Sequence, residues 1–552
     1  MAPVVLLAGG GINGMGVFRD LARQGVPTLL IEKGDFASGT SAAPSRLIHG
    51  GLRYLETGEF ALVRESVEER NLLLLNAPHV VRPLRIWVPA KNWLGGAVGA
   101  IARFLRLTKT PGPKGIAVVK LGLMIYDLFG KYHQTMPNHR LVSRAETART
   151  IPGLGRDVKA VAEYYDARIW YPERLTLELA GDAEADCPDA MALPYVSVAG
   201  NTDGKVILRD ELTGEEKTVA PRIVVNCTGA WADRVNAAVG IDSNLIGGTK
   251  GTHLILDDAR MARELGDVML YFPTSDNRAC LIYAFDERHV LLGATDIRCD
   301  EPENVATSDE EVDYLFAVIR EVLPACRFSR DNIAFAICGV RPLPRSEGDV
   351  AGAISRDHSI KAYPRDSARP YDVLTLVGGK WTTFRACGEQ IADKVLSLLE
   401  KTRRESTKHL AIGGGRNFPK SKDDLARRIT EIAAASKASI PRVTELYERY
   451  GTSADAYLAS LGGAAENPLQ QVPGYSVEEI RYIAASERVT RLSDVVMRRT
   501  LIALGGHASE SAVAEVAAIV AQPLDWEAAR MAEEIALTHA ELRGRHRVPK
   551  RP

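Results

Sequence analysis

VVLLAGGGINGMG, residues 4–16, opens with a short apolar run and continues into glycines at positions 9, 11 and 14. The run predicts a strand, and Met15 to Gln24 follow it with the apolar spacing of a helix. Gly25 is suited to end that helix, and Pro27 to Glu32 return to a buried strand. In such a βαβ unit the glycines let the backbone approach a pyrophosphate, to which the helix N-terminus donates N–H groups. The stretch therefore predicts a dinucleotide site.

Two features at and after the end of this unit indicate redox chemistry. Leu29-Leu30-Ile31-Glu32 ends on an acid, at the place where a carboxylate accepts the ribose hydroxyls of an adenosine. SRLIHGGLRYLE, residues 45–56, then places His49, Arg53 and Tyr54 beside whatever the dinucleotide carries. We therefore predict a redox enzyme rather than a nucleotide-binding fold without chemistry.

Composition argues against several classes of protein. The 552 residues are enough for roughly two to four domains, and a formal net charge of −1 provides no strong field for nucleic acid. Seven scattered cysteines without a C-x-x-C pair indicate reduced core residues of a cytoplasmic protein, with neither a disulfide framework nor a metal site. The start lacks a basic leader and no apolar stretch approaches about twenty residues, so we expect neither a signal peptide nor a transmembrane helix.

One segment leaves a membrane contact open. Trp93 to Leu107 is apolar apart from Arg103 and Arg106, and Ile116 to Phe129 is again mostly apolar. The first piece has the composition of an interfacial helix, with cations above and apolar side chains in the headgroup boundary. It is equally compatible with a helical hairpin docked on the protein. The sequence thus predicts a cytoplasmic protein, with a peripheral position on the cytoplasmic membrane face as the alternative.

The order of strand-like and helical segments indicates an interrupted α/β domain followed by a helical one. Ala-rich amphipathic segments such as Val513 to Ala521 characterise the second part. A mixture of charge, glycine and proline between the two predicts a linker, and the basic end is of a kind that is often disordered. The expected division is a dinucleotide-binding domain at 1–90, 196–250 and 335–400, a substrate domain at 91–195 and 251–334, a linker at 401–422, a helical C-terminal domain at 423–543 and a tail at 544–552.

Motifs along the whole chain resemble one family. GGGINGMG (9–16), SRLIHGGLRYLE (45–56), NCTGAW (226–231) and VGGKWTTFR (377–385) occur in the order seen in the FAD-dependent, quinone-linked glycerol-3-phosphate dehydrogenase family, polyol-phosphate dehydrogenases included. Further matches are APHVVRPL (77–84), KLGLMIYDLFGK (120–131), KGTH (250–253), GATD (293–296), GVRPL (339–343), SRDH (355–358) and RLSDVVMRRT (491–500). The resemblance implies an FAD-binding Rossmann-like α/β domain of the amino-acid-oxidase type, an interleaved antiparallel substrate domain and an all-helical C-terminal domain.

The same resemblance implies FAD as the cofactor. The early glycines would serve its pyrophosphate, Glu32 its ribose, and a loop of hydroxyl-bearing residues would face it, while two later segments would close around the flavin. The expected FAD-binding residues are Gly9, Gly11, Ile12, Asn13, Gly14, Glu32, Lys33, Ser38, Thr40, Ser41, Ser45, Leu47, Gly229, Gly379, Lys380, Trp381 and Thr382.

The chemistry of an alcohol oxidation defines the other groups. A flavin receives a hydride at N5 while the hydroxyl loses a proton, and a phosphorylated substrate requires cations, for which the arginine fork is well shaped. By resemblance, the substrate pocket holds Arg53, Tyr54, Thr295, Arg341, Arg356 and Lys380. His49 and His253 are the candidates for proton transfer, because histidine titrates near neutral pH, and Arg341 and Lys380 complete the catalytic set.

Departures from the family pattern leave the substrate length open. Trp381 stands where many members carry a smaller aliphatic residue, and Tyr171 to Leu175 differ from an Asp-Ala-Arg type of sequence. One hydroxymethyl group changes binding by only about 1–3 kcal/mol. A four-carbon polyol phosphate, as in erythritol phosphate dehydrogenases, is therefore the alternative to glycerol 3-phosphate.

Three other functions share part of this sequence pattern. An oxidase that passes electrons to oxygen uses the same fold and stays open, whereas a nicotinamide-dependent dehydrogenase would not need GGKWTT or HGGLRYLE. A non-catalytic flavin protein is disfavoured because the cations at 53, 341 and 380 are all intact. The predicted function is oxidation of sn-glycerol 3-phosphate to dihydroxyacetone phosphate, with hydride transfer to FAD N5 and electrons passed to a quinone. A homodimer is compatible with the sequence.

Overall fold

The computed structural model describes residues 3–55, 58–92, 116–130, 135–276, 278–346 and 357–550, without the side chains of Arg53 and of residues 116–118. Its strands are β1 (Val5–Ala8), β2 (Thr28–Glu32), β3 (Leu47–Ile48), β4 (Val81–Ala90), β5 (Arg140–Val142), β6 (Ala160–Ile169), β7 (Met191–Pro194), β8 (Val196–Thr202), β9 (Lys205–Asp210), β10 (Glu216–Val219), β11 (Ile223–Asn226), β12 (Thr249–Asp257), β13 (Val268–Pro273), β14 (Ala279–Ala284), β15 (His289–Gly293), β16 (Ile297–Arg298), β17 (Ile333–Arg341), β18 (Ser359–Tyr363) and β19 (Asp372–Val377). Its helices are α1 (Ile12–Arg23), α2 (Phe60–Asn76), α3 (Ile116–Gly130), α4 (Arg144–Thr150), α5 (Pro172–Asp186), α6 (Ala232–Ala238), α7 (Ala259–Leu265), α8 (Asp309–Ile319), α9 (Phe384–Leu398), α10 (Lys422–Ser436), α11 (Ile440–Tyr450), α12 (Ala454–Ser460), α13 (Val477–Ser486), α14 (Leu492–Asp494), α15 (Glu510–Ala521) and α16 (Ala528–Gly544).

A six-stranded sheet positions the predicted dinucleotide site. Its strand order is β18-β19-β11-β1-β2-β7, and all neighbours are parallel except the β18–β19 pair. All four residues of β1 are buried, as a central strand covered on both faces requires. Because parallel strands end at the same edge of a sheet, the turns after β1, β11 and β19 meet there, and ligands of such folds bind at this edge.

A second, ten-stranded sheet follows the order β16-β12-β15-β14-β13-β4-β6-β3, with β17 paired to β12 and β5 to β6. Its pairs are antiparallel except β4–β13. Three strands join a different sheet from the one that the expected domain bounds suggest. β4 and β17, expected in the dinucleotide-binding domain, pair within the ten-stranded sheet. β7, expected in the substrate domain, pairs with β2 in the six-stranded sheet. The sequence of a short apolar strand does not show which sheet the strand joins, because sheet membership depends on partners that are distant along the chain.

The helical C-terminal domain packs on one face of the large sheet. Ile255 and Phe335 of that sheet belong to the same buried cluster as Ile483 of α13 and Val516 of α15. The opposite face is covered by α7 and α8. The C-terminal domain therefore shares a hydrophobic core with the sheet and is not a separate domain joined only by a linker.

Two segments expected to be loose are held in place. Residues 401–421 contain no helix or strand besides a 3₁₀ turn at Gly413–Gly415. They are bonded to the body of the protein nevertheless: Arg403 pairs with Asp20 at 2.8 Å, and the Ile412 N–H donates to the Asn76 carbonyl at 2.8 Å. Polar backbone that crosses a protein surface finds such partners even where its own sequence has no periodicity.

The basic end of the chain is docked as well. The Ala336 N–H on β17 donates to the carbonyl of His546 at 2.7 Å, and the His546 ring stacks on Phe335 with ring centroids 4.4 Å apart. Arg547 forms an ion pair with Asp309 at 2.7 Å. The described part of the tail therefore packs along β17 rather than extending into solvent.

Among the described helices, none is both long and apolar enough to cross a bilayer. The predicted interfacial segment, Trp93 to Leu107, lies outside the described residues. The second apolar segment forms α3, which buries Leu123 and Tyr126 and exposes Leu121, Met124 and Leu128.

Candidate active site and cofactor cavity

A cavity of about 820 Å³ lies at the edge where the strands of the six-stranded sheet end. We call it the cofactor cavity. Residues from the turns after β1, β2, β11 and β19 line it, as the βαβ motif predicts. The predicted FAD-binding residues on its wall are Gly9, Gly11, Ile12, Asn13, Glu32, Lys33, Ser38, Thr40, Ser41, Gly229, Gly379 and Trp381.

Close backbone approach explains the first glycines. Gly9 has φ of +108°, and a Cβ there would lie 2.6 Å from the carbonyl oxygen of Cys227 on the neighbouring strand. A Cβ on Gly14 would lie only 1.9 Å from the carbonyl oxygen of Gly9. Gly14 does not line the cavity, and its role is to let the turn fold onto the first turn of α1.

Side chains from the loop after β2 complete this turn. Glu32 accepts hydrogen bonds from the N–H groups of Gly10 at 2.8 Å and Gly34 at 3.0 Å. Burial raises the pKa of the Glu32 carboxyl in spite of these bonds. The Ser41 hydroxyl accepts the N–H of Ile12 at 2.9 Å, so the loop is fastened to the start of α1.

The cavity contains polar atoms that suit a polar ligand. Among the described residues, the Oδ1 atom of Asn13 and the hydroxyl of Thr538 are buried without a hydrogen-bond partner, and both residues line the cavity. Buried polar groups are normally paired, so these two atoms indicate a ligand that completes them. Together with the glycine turn and Glu32, they fit a dinucleotide cofactor.

Four other predicted cofactor residues do not line the cavity. Leu47 is buried in β3, and the Ser45 carbonyl accepts the hydroxyl of Tyr283 at 3.1 Å. The Thr382 hydroxyl accepts the N–H of His49 at 3.1 Å. Lys380 belongs with the groups described next. These positions shape the cavity by holding the segments that form it.

His49, Tyr54 and Lys380 lie together, and we call them the substrate cluster. The Lys380 ammonium is 4.1 Å above the centroid of the Tyr54 ring and donates to the Ser66 hydroxyl at 3.3 Å. The ring centroids of Tyr54 and His49 are 6.3 Å apart. Among the described residues, no carboxylate lies within 4.0 Å of the ammonium. Burial lowers the pKa of Lys380, although the charges of Glu59, Asp357 and Glu65 at longer range act in the opposite direction.

Arg341 lies at the end of β17 in a second polar group. Its guanidinium donates to Asp296 at 3.1 Å and to the Thr295 carbonyl at 3.2 Å. A Cβ on Gly251 would lie 2.1 Å from a guanidinium nitrogen, so the glycine makes room for the fork. The Thr295 hydroxyl is used internally, since it donates to Glu311 at 2.7 Å. Thr295 therefore holds Arg341 through its carbonyl.

His253 is buried close to this group. It is 3% exposed, and its Nδ1 has no hydrogen-bond partner among the described residues. Burial, reinforced by the charge of Arg341, lowers the pKa of His253 to about 3. The imidazole is therefore neutral at physiological pH and strongly resists protonation, which weakens its case as a proton acceptor.

The Thr40–Ala43 turn connects the two polar groups. The Thr40 hydroxyl donates to the Val340 carbonyl at 2.6 Å, next to Arg341. The Ser41 carbonyl accepts the indole N–H of Trp381 at 3.1 Å, next to Lys380. Trp381 thus lines the cofactor cavity and ties it to the substrate cluster.

Some functional neighbours were not predicted. The Tyr126 hydroxyl accepts the N–H of Gly50 at 2.8 Å and donates to Asp166 at 2.5 Å, while Arg70 donates to Asp166 at 2.7 Å. This buried network supports the segment that carries His49. Tyr126 lies within the KLGLMIYDLFGK motif, so the resemblance of that segment to the family could have indicated its role. No feature of the sequence around Asp166 indicates that it belongs to this network.

Two predicted substrate-pocket residues fall on parts of the chain that the structure does not describe. The side chain of Arg53 and the whole of Arg356 lie outside the described residues. The departure at Tyr171 to Leu175 is structural, because Glu173 pairs with Arg46 at 2.9 Å and Arg174 pairs with Glu487 at 2.8 Å. Its difference from the family pattern therefore lies in ion pairs that join elements of the fold.

Comparison with known proteins agrees with this geometry. Residues 5–394 match the FAD dependent oxidoreductase family, and residues 405–531 match the C-terminal domain of alpha-glycerophosphate oxidase. A glycerol-3-phosphate dehydrogenase of Synechocystis sp. is 34% identical over 533 residues, which cover 91% of this chain and 89% of the relative. A D-erythritol 1-phosphate dehydrogenase of Brucella abortus is 29% identical over 504 residues, covering 90% and 93%.

A solved structure shows the same fold. The glycerol-3-phosphate dehydrogenase from Bacillus halodurans, complexed with FAD, superimposes with a TM-score of 0.74 at 22% identity. The match covers 99% of this chain and 95% of that one. The predicted arrangement of a flavin-type α/β domain, an interleaved substrate domain and a helical C-terminal domain is confirmed.

The fold and the cavity together define an FAD-dependent oxidoreductase. Within that class, the chain belongs to the FAD-dependent glycerol-3-phosphate dehydrogenase family, and it is an enzyme with FAD as its cofactor. The predictions of family, cofactor and enzyme class are thereby confirmed.

Proposed function

We propose that this enzyme oxidises sn-glycerol 3-phosphate to dihydroxyacetone phosphate and passes the electrons to a quinone. The observation that carries the substrate class is the half-buried Lys380, whose ammonium lies over the Tyr54 ring with no carboxylate of the described residues within 4.0 Å. A partly desolvated cation with no carboxylate in contact favours an anionic ligand, because the ligand then supplies the opposite charge at close range. A substrate phosphate is such a ligand.

The residues around Lys380 define the other roles. The glycine turn and the loop after β2 would hold FAD, which would supply hydride acceptance at N5. His49 takes the hydroxyl proton, since it lies beside Tyr54 and its backbone N–H is fixed by Thr382. Arg341, held by Asp296, adds a second positive charge for the phosphate or for the oxygen that loses the proton.

His253 is assigned a positioning role. Its pKa of about 3 makes protonation in the reaction unfavourable, whereas its neutral ring packs beside Arg341 without competing for the charge of the substrate. The choice of His49 as proton acceptor thus rests on the contrast between a half-buried histidine in the substrate cluster and a fully buried one beside a guanidinium.

The three-carbon substrate is favoured over a four-carbon polyol phosphate. The relative named for glycerol 3-phosphate is 34% identical, and the one named for erythritol 1-phosphate is 29% identical. Trp381, the departure from the family pattern, is directed to the cofactor cavity and bonded to Ser41. It therefore gives no reason to lengthen the substrate.

A quinone as acceptor fits a peripheral position on the cytoplasmic membrane face. Leu121, Met124 and Leu128 form an exposed apolar stripe on α3, the helix that follows the apolar segment at 93–107. An interfacial helix has this kind of face. The competing acceptor is oxygen, which the oxidase named in the C-terminal family match makes a specific alternative.

Anaerobic reduction of the bound flavin tests the proposal. The purified enzyme would be mixed separately with glycerol 3-phosphate, erythritol phosphate and glycerol, and its visible flavin absorption followed. We expect rapid bleaching with glycerol 3-phosphate and none with glycerol, which lacks the phosphate. Bleaching only by erythritol phosphate would change the substrate, and bleaching by neither phosphate would refute the catalytic assignment.

Reoxidation identifies the acceptor. The reduced enzyme would be mixed with a soluble quinone under anaerobic conditions and, in a second sample, with air. We expect the quinone to restore the flavin absorption much faster than oxygen does. Fast recovery in air with stoichiometric peroxide release would instead identify an oxidase.

A further inference from the structure

Asp35 joins the cofactor loop to the C-terminal domain. Its carboxylate accepts N–H groups from Arg498 at 2.5 Å and from the fork of Arg499 at 2.6 and 2.8 Å. All three residues are nine-tenths or more buried. Burial opposes the charge of Asp35, but the two guanidiniums still hold its pKa below the usual value. Asp35 lies three positions after Glu32, so this contact reaches the loop that lines the cofactor cavity.

The contact is the first link in a chain of hydrogen bonds that leads back to the same loop. Arg498 also donates to Asp494 at 2.8 Å, and Asp494 accepts the Tyr195 hydroxyl at 2.6 Å. The N–H of Tyr195 donates to the Gly34 carbonyl at 2.9 Å, and the N–H of Gly34 donates to Glu32. This chain of hydrogen bonds therefore begins at Asp35, passes through the C-terminal domain and ends at Glu32, the carboxylate expected to meet the ribose.

Local helix geometry brings both arginines to one carboxylate. Consecutive residues of an α-helix point about 100° apart, so neighbours rarely share a partner. Here the α14 turn widens into a π-helical turn at Val495–Arg499, and Thr500 leaves it in an extended conformation. Single π turns of this kind often mark functional sites. The irregular turn lets both arginines reach the Asp35 carboxylate, Arg498 through its Nε and Arg499 through the two terminal nitrogens of its guanidinium.

The same domain also forms part of the cavity wall. Thr538 carries one of the two buried polar atoms without a partner that were noted above. Thr538 and Glu534 lie one turn apart on α16, and both face the cavity. The C-terminal residues on the wall are Arg491, Ser493, Arg498, Glu534, Leu537, Thr538, Glu541 and Arg545.

We propose that the C-terminal domain is a working part of the FAD site, in which Arg498 and Arg499 act as positioning residues that hold Asp35 and the loop at 33–41 in the shape that binds the cofactor. The inference concerns cofactor retention and does not depend on which polyol phosphate is oxidised. Neutralising Asp35 leaves two buried guanidiniums with only Asp494 to balance them, so the loop is no longer held. If the binding-competent loop then falls to about a tenth of the molecules, the apparent Kd for FAD rises about tenfold.

A second buried ion pair supplies the matched control. Arg174 of α5 pairs with Glu487 of the C-terminal domain at 2.8 Å, and neither residue lines the cofactor cavity. It joins the same two parts of the protein as Asp35 does. The pair lies beside Arg499, since Arg174 also donates to the Arg499 carbonyl at 3.1 Å and the Glu487 carbonyl accepts the Arg499 Nε–H at 3.1 Å. A Glu487→Gln substitution removes the ion pair with Arg174, while the bonds from Arg499 to Asp35 keep all their atoms.

The test measures FAD binding by apoprotein and thermal stability in parallel. Wild type, Asp35→Asn and Glu487→Gln would be stripped of FAD and titrated with it, and the quenching of FAD fluorescence would give Kd. We expect both variants to lower Tm, and only Asp35→Asn to raise Kd, about tenfold. Arg499→Lys keeps the charge but loses the fork, so we expect a smaller rise in Kd from it.

Two results would overturn the proposal. One is an unchanged Kd in Asp35→Asn alongside a lowered Tm, which is the behaviour of a purely structural ion pair. The other is an equal rise in Kd in Glu487→Gln, which would make general docking the cause. If Asp35→Asn does not fold, the FAD Kd and Tm of Arg499→Lys are compared with those of Glu487→Gln instead, and the same two outcomes overturn the proposal. None of these readings involves substrate, so they stand or fall separately from the reaction proposed above.

Discussion

In the cofactor cavity the groups that face the ligand come largely from the backbone of one βαβ unit, whereas the substrate cluster is made of side chains from distant segments. The turn at residues 9–14 and the loop at 32–41 are neighbours along the chain. His49 and Thr382, in contrast, are 333 positions apart and are joined by one hydrogen bond. The first region depends on where side chains are absent, and the second on which side chains are present.

This difference teaches where each region is vulnerable. A backbone turn fails when any side chain is added at a point of close approach, whatever its chemistry. A cluster built on a half-buried cation tolerates a change of shape better than a loss of charge, because its purpose is to meet an anion. Four substitutions separate these two behaviours, and we order them by expected effect.

Gly14→Ala should have the largest effect. The added Cβ would lie 1.9 Å from the Gly9 carbonyl oxygen, so the turn must open, at a cost of about 4 kcal/mol or more. We expect a protein without bound FAD, measured by its visible absorption, and a sharply lower Tm. Gly181→Ala is the control: it lies within α5 with nothing within 4 Å of the added Cβ, and it should gain roughly 0.5–1 kcal/mol. Similar Tm values for the two variants would contradict the packing argument.

Lys380→Met should keep FAD but lose catalysis. Removing the half-buried cation leaves a phosphate without its partner, which corresponds to a fall in kcat/KM of about 10²-fold or more. Steady-state kinetics and flavin absorption on the same sample measure both properties. Lys394→Met changes an exposed lysine on α9 and should leave kcat/KM within about twofold. Equal loss in both variants, or loss of FAD in the first, would show that the two regions are not separable in this way.

The pH dependence of kcat/KM sharpens the assignment of Lys380. Burial lowers the pKa of Lys380, so its positive charge is present at low pH and is lost as the pH rises through that lowered value. We expect kcat/KM for the phosphorylated substrate to decline on the alkaline side, beginning below the usual lysine range of about 10.4. Lys380→Arg should move this decline to higher pH, since a guanidinium stays protonated. An unchanged alkaline limb would assign the decline to another group.

Tyr126→Phe should have the smallest effect of the four. It removes the hydroxyl that accepts the Gly50 N–H and donates to Asp166, with a stability loss of about 1–2 kcal/mol. Because the loosened segment carries His49, we also expect kcat to fall roughly threefold while FAD is retained. Tyr165→Phe, a half-buried tyrosine on β6, is the control for a generic hydroxyl loss. Identical kcat values in the two variants would mean that the network below Gly50 does not support the substrate cluster.

The part of the cavity wall formed by the turn at 9–14 and the loop at 32–41 was predictable because its determinants are local. The spacing of Gly9, Gly11 and Gly14 between a strand and a helix already implies the turn, and Glu32 ends the next strand. Later segments that line the cavity, such as Gly379 and Trp381, came only from resemblance to a family. Nothing in their own composition shows that β19 ends beside β1.

Sheet membership was harder to predict than strand positions. β4 and β17 are apolar strands like those of the smaller sheet, yet they pair with β6 and β12. Pairing partners are selected by long-range packing, and the period of two that marks a strand is the same in both sheets. The docked course of residues 401–421 and of the basic tail was missed for a related reason, since irregular backbone can be held by contacts that leave no periodic pattern.

By itself, the sequence determined the βαβ unit, its glycine turn, the carboxylate at Glu32 and the presence of cations suited to a phosphate, because these depend on residue type and short spacing. Only the tertiary structure decided that Lys380 meets Tyr54 and Ser66, that His253 is buried and neutral, and that Asp35 meets Arg498 across 463 positions. The chain has 69 lysines and arginines, and nothing in the sequence around Asp35 shows which two of them neutralise its carboxylate. That selection is made when the C-terminal domain packs on the sheet, since charge is tolerated in the interior only where a partner is brought to it.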